Sequence, residues 1–496
     1  MPAMGRSGAL LAVAGLAQLV LGLALAQPAA AAGPRGLPTS RLELGVSSDA
    51  TQVGWMRSSG VPWKYRYQYL SGGANTSGGW LHWQSASAPP GQFAADYLAA
   101  SGSAGYVPFL PYYVLLQSTP SSGGDEGARD YSNLNNAATM NAYFAAFKVL
   151  MQRAGAYGRP VVVQVEPDFW GFMQAKARSL GVAGADGIPA AVATSGAPDV
   201  ATYPNTVAGF GRALLHLRDA YAPNVTMAVH ASEWASGVDI STNVSAGVSA
   251  AAEADRTAAF LATTGTWDLV TTDVDDHDAD WWVATGKASP QYTHWWDAAN
   301  AKFPNFHRWE SWIGEVRARL GLPAMAWQVP VGNSTIADTC DQASGNGHYK
   351  DNVAEYFLAH PAELVQAGLI AVLFGAGNAC QTTPYNDGGF LARLAAAYYS
   401  GRPAALPAAT PTPSPSPSAT PVPTATPTEV PATPSPSALA VRAAGARTPA
   451  RQALVAAAAG TAAGLLLVAG VGLWLWRRRR AAVRRPPAAP PPGSGG

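Results

Sequence analysis

Between residues 41 and 402 the chain alternates short strand-like blocks with longer stretches of helical spacing. The blocks are 42–49, 65–70, 105–113, 160–166, 225–232, 267–273, 323–329 and 369–375. The fourth carries Val161, Val162, Val163 and Val165, apolar and β-branched on both faces, as a parallel strand covered on both sides requires. Helical sequence such as 136–155 precedes the fourth block, and 306–321 precedes the seventh. Alternating strand and helix predicts a parallel sheet, and eight repeats predict a closed (β/α)8 TIM barrel. A doubly wound open sheet is the alternative, but no glycine-rich phosphate loop follows the first strand to favour it.

The flanks have a different pattern. Residues 8–26 form an apolar run behind Arg6, followed by small-residue sites, so 1–32 read as a cleaved secretory signal, with an uncleaved anchor as the alternative. Pro alternates with Ser and Thr across 403–437, a composition that builds no core, so 403–450 is read as a semi-rigid linker. Residues 453–476 are free of charge and long enough to span a bilayer. Trp474 and Trp476 stand at their end, and Arg477 to Arg480, Arg484 and Arg485 follow. By the positive-inside rule this is a single transmembrane helix with a short cytoplasmic tail, 477–496. The expected protein is a monomeric extracellular barrel tethered to the cell membrane.

Composition narrows the chemistry. A net charge of +1 with 13 % charged residues supplies no field for nucleic acid. Cys340 and Cys380, in loops after the seventh and eighth strands of an exported chain, are expected to form a disulfide across neighbouring loops. No CxxC or HExxH spacing occurs, and neither metal nor cofactor is expected.

Strand parity points to candidate chemistry. With Val163 and Val165 facing helices, Gln164 and Glu166 point into the barrel, Glu166 at the C-terminal end where barrel enzymes assemble their sites. Arg66 and Gln68 share one face of the second strand, opposite Tyr65, Tyr67 and Tyr69. The same rim carries Asp168, Glu233, Asp273 and Asp275, with His230 and the aromatics Tyr112, Trp170, Trp234, Trp281 and Trp327. Flat rings stack on the apolar faces of sugars, and glycoside hydrolysis needs two carboxylates about the scissile bond.

The segment "VQVEP", 163–167, resembles the Asn-Glu-Pro segment of clan A glycoside hydrolases, the cellulase and β-mannanase type. That resemblance implies a general acid/base at Glu166. Two departures stand out: Val165 replaces the clan's Asn, and Gln328, which cannot ionise, occupies the region of the seventh-strand nucleophile. The expected catalytic set is therefore Glu166 with Asp273 or Asp275, and Glu233 in reserve. Arg66, Tyr112, Asp168, Trp170, His230, Trp234, Trp281, Trp327 and Gln328 are the expected substrate contacts.

Structural alternatives remain open at this point: a Glu166–Arg66 ion pair, a solvated or calcium-binding sixth loop, and core packing for Trp327 and His230. The expected function is hydrolysis of a polysaccharide. A carbohydrate-binding barrel without catalysis and a surface adhesin are the alternatives.

Overall fold

In the computed structural model, residues 34–84, 87–274, 296–331, 352–375, 383–385 and 387–407 are described. The predicted signal, the transmembrane run, most of the linker, Asp275, Trp281, Cys340 and Cys380 lie outside them. Among the described residues no helix is long and apolar enough to cross a membrane.

Each predicted strand block contains a strand: β1 Glu43–Ser47, β2 Tyr65–Tyr67, β3 Val107–Tyr113, β4 Val161–Val165, β5 Val225–His230, β6 Leu269–Thr272, β7 Ala324–Val329 and β8 Leu369–Phe374. A short continuation of β2, Leu70–Ser71, resumes pairing with β3 after Gln68 and Tyr69 step out of line. All pairs are parallel, and β8 returns to β1 with Glu43 opposite Ala371 and Val46 opposite Phe374, so the sheet closes. Closure brings backbones close at Gly45, where a Cβ would stand 2.6 Å from the Tyr65 Cβ.

The helices that bear on the site are α1 Val53–Ser58, α2 Gln92–Ser103, α3 Glu126–Leu134, α4 Ala137–Tyr157, α5 Phe169–Leu180, α6 Val207–Tyr221, α7 Ala250–Leu261, α8 Phe306–Leu320, α9 Val353–Ala359, α10 Pro361–Gln366 and α11 Phe390–Ser400. Their ends are written locally. Asn136 caps α4 by accepting the Thr139 N–H at 3.0 Å, and Gly158 ends it at φ +69°. Asn305 and Gly321 do the same for α8.

Two apolar layers result. The outer one packs Leu42, Leu44, Val46, Leu110, Val163 and Val165 against the helices. The inner one fills the lumen with Tyr65, Tyr67, Phe109, Val162, Leu269, Met325, Trp327 and Leu373. Leu37 belongs to the inner layer and Leu406 packs against it. Beside them both ends of the barrel segment meet: Arg41 bridges Ala405, Leu42 N–H donates to Ala404 O at 2.8 Å, and Leu406 N–H donates to Ser40 O at 3.2 Å. From α11, the Tyr398 hydroxyl donates to Leu42 O at 2.7 Å. These contacts sit where β1 begins, at the end of the barrel opposite its mouth.

Parity in β2 corrects one expectation. Tyr65 and Tyr67 face the lumen, and Arg66 faces the helices, fully buried. Its guanidinium donates to Ser48 Oγ and Ser101 Oγ, each at 3.0 Å, and to Asp49 O, and lies over the Tyr97 ring at 4.1 Å. These partners on the β1 loop and α2 replace water for the charge, so Arg66 is a structural residue and not a substrate contact.

Candidate active site

The C-terminal ends of β4, β5, β6 and β7 bring polar side chains into the lumen above the apolar fill. Gln164, His230, Thr271 and Asp273 form one connected group, each at most 7 % exposed. Gln164 Nε2 lies 3.1 Å from His230 Nδ1 and donates to Thr271 Oγ1 at 2.9 Å. With the amide in this orientation His230 Nδ1 accepts, so the neutral ring carries its proton on Nε2. That nitrogen lies 3.4 Å from Asp273 Oδ1. The main chain at Asp273 is held too: its carbonyl accepts the indole N–H of Trp309, from α8, at 2.9 Å.

Aromatics wall this group. Trp327 lies edge-on to His230 with centroids 5.6 Å apart and meets Tyr67 and Tyr69 at 6.4 and 5.7 Å. Tyr69 in turn meets Tyr113 at 6.3 Å. Gln328, next in β7, accepts the Tyr69 hydroxyl. Its φ of +52° is in the left-handed region, at an irregularity in the β7–β8 register, so Trp327 and Gln328 both serve the mouth although they are consecutive. A cavity of about 220 Å³ opens beside this wall, between Ser47, Asp49, Tyr67, Tyr69 and Tyr385.

A second acidic group borders the mouth on the β3–β4 side. Tyr113 donates its hydroxyl to Glu126 in the first turn of α3. Burial raises the Glu126 carboxyl above the usual glutamate range, against lowering by the Tyr113 hydroxyl and Arg129. Half-buried Asp168 lies close enough to act electrostatically on Tyr113 and on Asp130.

Glu166 departs from its expected place. Its φ of +45° reverses the strand's alternation and turns the side chain out of the lumen, under the loop after β3. There the carboxyl accepts the N–H groups of Val114 and Leu115, each at 3.1 Å, beside Tyr143 of α4. Only 1 % of the residue is exposed. Burial pushes the carboxyl up to about 8, with Tyr143 and the two backbone N–H groups opposing. The alternative ion pair with Arg66 does not form either, since Arg66 is turned to Ser48, Ser101 and Asp49.

Other expected contacts move into the helix layer. Tyr112 is fully buried against Trp80, Tyr143 and Phe147, because it shares the parity of Leu110, while Tyr113 takes the mouth. Trp170 is fully buried in α5, donates to Val165 O at 2.8 Å and packs on Phe210 and Trp267. Half-buried Trp234 packs on Phe172 at 4.8 Å and covers Gly171. Glu233 is buried in the loop after β5, where its carbonyl accepts the Ile240 N–H. The structure brings together His230, Asp273, Trp327 and Gln328 from the expected set. It adds Gln164, Thr271, Tyr67, Tyr69, Tyr113 and Glu126. The Tyr-x-Tyr-x-Tyr alternation at 65–69 was the available signal for two of these.

The chain is similar in shape to glycoside hydrolase barrels. One is the family GH53 catalytic domain of Ignisphaera aggregans, at 10 % identity and TM-score 0.41, covering 74 % of this chain and 99 % of that one. A modular endo-β-1,4-mannanase of family 26 from Cellulomonas fimi gives 14 % identity and TM-score 0.42, covering 75 % of this chain and 76 % of that one. The endo-β-1,4-mannanase of Thermotoga petrophila gives 10 % and 0.42, covering 74 % and 78 %. No protein-family model matches the chain, and no curated protein sequence does.

Chemically, the mouth sets two carboxyl environments about an aromatic-walled lumen. Asp273 faces the His230 imidazole, and Glu126 is held toward its protonated form. Two carboxyls in unlike surroundings about one cleft are what acid/base cleavage of an acetal uses.

Proposed function

We propose that the chain is a glycoside hydrolase acting on a polysaccharide at the barrel mouth. The carrying observation is Asp273, fixed by Trp309 and facing His230 Nε2 beside the Trp327 ring. In this reading a sugar stacks on Trp327 and Tyr69, Asp273 acts as base or nucleophile, and Glu126 donates the proton to the leaving oxygen. His230, held by Gln164 on its Nδ1 side, turns Nε2 toward Asp273 and fixes the polar surroundings of that carboxylate. Asp168 is assigned to sugar hydroxyls. Display of the barrel outside the cell, on the 403–450 linker and the 453–476 apolar run, belongs to the same proposal and rests on the sequence pattern.

A carbohydrate-binding barrel without turnover is the second reading. Gln328 at the seventh strand and the outward turn of Glu166 favour it. Reducing-end release by the purified chain from a panel of α- and β-linked polysaccharides decides between them. The expected result is turnover that falls at least ~10²-fold in Asp273→Asn, with folding unchanged. A folded parent that binds glycan without releasing ends establishes the second reading.

A further inference from the structure

Away from the lumen, on the outer layer, three potential metal ligands converge. His307 and Glu310 lie three residues apart on the first turns of α8, and so on one helix face. Glu363, on α10, meets them: its carboxylate and the donor atoms of His307 and Glu310 all lie within 4.8 Å of one another. Glu310 is 7 % exposed, and its Oε1 is buried with no hydrogen-bond partner among the described residues. Among the described residues nothing compensates that oxygen, and a buried carboxylate oxygen without a partner is costly.

The geometry points to a divalent transition-metal site, of the zinc class, formed by His307 Nε2, Glu310 Oε1 and Glu363 Oε2. An ion holding N and O ligands at ~2.0–2.2 Å in a tetrahedron keeps those ligands roughly 3.3–3.6 Å apart. His307 Nε2 and Glu363 Oε2 are 3.5 Å apart. One imidazole and two carboxylates suit zinc, cobalt or manganese; calcium takes six to eight oxygens.

Outer partners orient the ligands as metal sites require. Tyr356 donates its hydroxyl to Glu363 Oε2 at 2.7 Å and itself accepts from Asn300 Nδ2 at 2.8 Å. Its ring is stacked between Phe306, at 3.7 Å, and His360, at 4.1 Å. Trp309, between the two α8 ligands in sequence, is anchored to Asp273 O, so this turn is a fixed platform.

An ion here ties α8 to α10 and compensates the buried Glu310 carboxylate beside that of Glu363. The sequence signal was HRWE, 307–310, with the third ligand more than fifty residues onward. This site is independent of the glycosidase reading.

The test is metal binding by the purified full chain after chelator treatment, with Zn²⁺ titrated calorimetrically and Co²⁺ followed by visible absorption. His307 is 57 % exposed, so His307→Ala leaves the core intact; Glu310→Gln is the companion. The parent is expected to bind one more equivalent of Zn²⁺ than either variant, or to bind it more than about 100-fold tighter. That loss exceeds the ~10–100-fold of an outer-shell change. Co²⁺ should give a low-coordinate absorption band in the parent alone, and Zn²⁺ should raise Tm in the parent alone. Equal Zn²⁺ binding by all three proteins overturns the site. Stabilisation by Ca²⁺ or Mg²⁺ equal to that by Zn²⁺ overturns its zinc class.

Discussion

Glu166→Gln separates a carboxyl that holds a loop from one that does chemistry. In the fold the carboxyl is pushed from the ordinary 4.5 up to about 8, chiefly by burial. At ~1.4 kcal/mol per pH unit, keeping it ionised in the fold costs about 5 kcal/mol. Between pH 4.5 and 8 the folded protein retains a proton that the unfolded chain has released. Its contribution to stability is therefore complete below pH 4.5, declines as pH rises, and is lost above about 8. A glutamine keeps an acceptor oxygen for the Val114 and Leu115 N–H groups and cannot ionise. The variant should match the parent within ~1 kcal/mol at pH 5 and exceed it by about 4 kcal/mol more at pH 9. Glu310, also raised to about 8, is common to both proteins and cancels. Urea unfolding followed by Trp fluorescence at pH 5, 7 and 9 reads the effect as a midpoint difference of roughly 1 M at the highest pH. Parallel pH profiles for parent and variant would refute the placement of this carboxyl. So would a variant that loses stability relative to the parent as pH rises.

Arg66→Ala removes three buried hydrogen bonds and the contact with Tyr97, and should destabilise the fold by about 2–4 kcal/mol with turnover per folded molecule unchanged; denaturant midpoints beside initial rates check both. Gln328→Glu places an ionisable group at the end of β7, where Tyr69 already donates to the amide oxygen. If the chemistry runs through Asp273 this variant gains no activity in the reducing-end assay, whereas a rise of more than about 10-fold would move the nucleophile to β7.

The eight strands were legible because a parallel sheet covered on both faces writes its strands as near-continuous apolar runs. That same property hides which residues face inward. In β3 both Tyr112 and Tyr113 suit a buried position, and only the closed sheet separates them. Arg66 reads from sequence as a polar residue destined for the lumen. Its partners, Ser48, Ser101 and Tyr97, come from other elements, and they reverse the assignment. Glu166 escapes for another reason: it has positive φ without being glycine, and no residue type announces that. His230 and Asp273 were found because each stands at a strand end in ordinary alternation. Glu126 was not, since it reaches the mouth only through the Tyr113 hydroxyl.

The antiparallel seam between Ser40–Leu42 and Ala404–Leu406 bears on how this protein can be handled. It brings the incoming and outgoing chain together at the floor of the barrel, so residue 407 departs from the face opposite Asp273 and Trp327. A bead, a chip surface or a fused partner attached just after this point therefore stands behind the barrel. Molecules immobilised this way present their open ends outward, and a polymer too large to pass between neighbours still reaches every one of them.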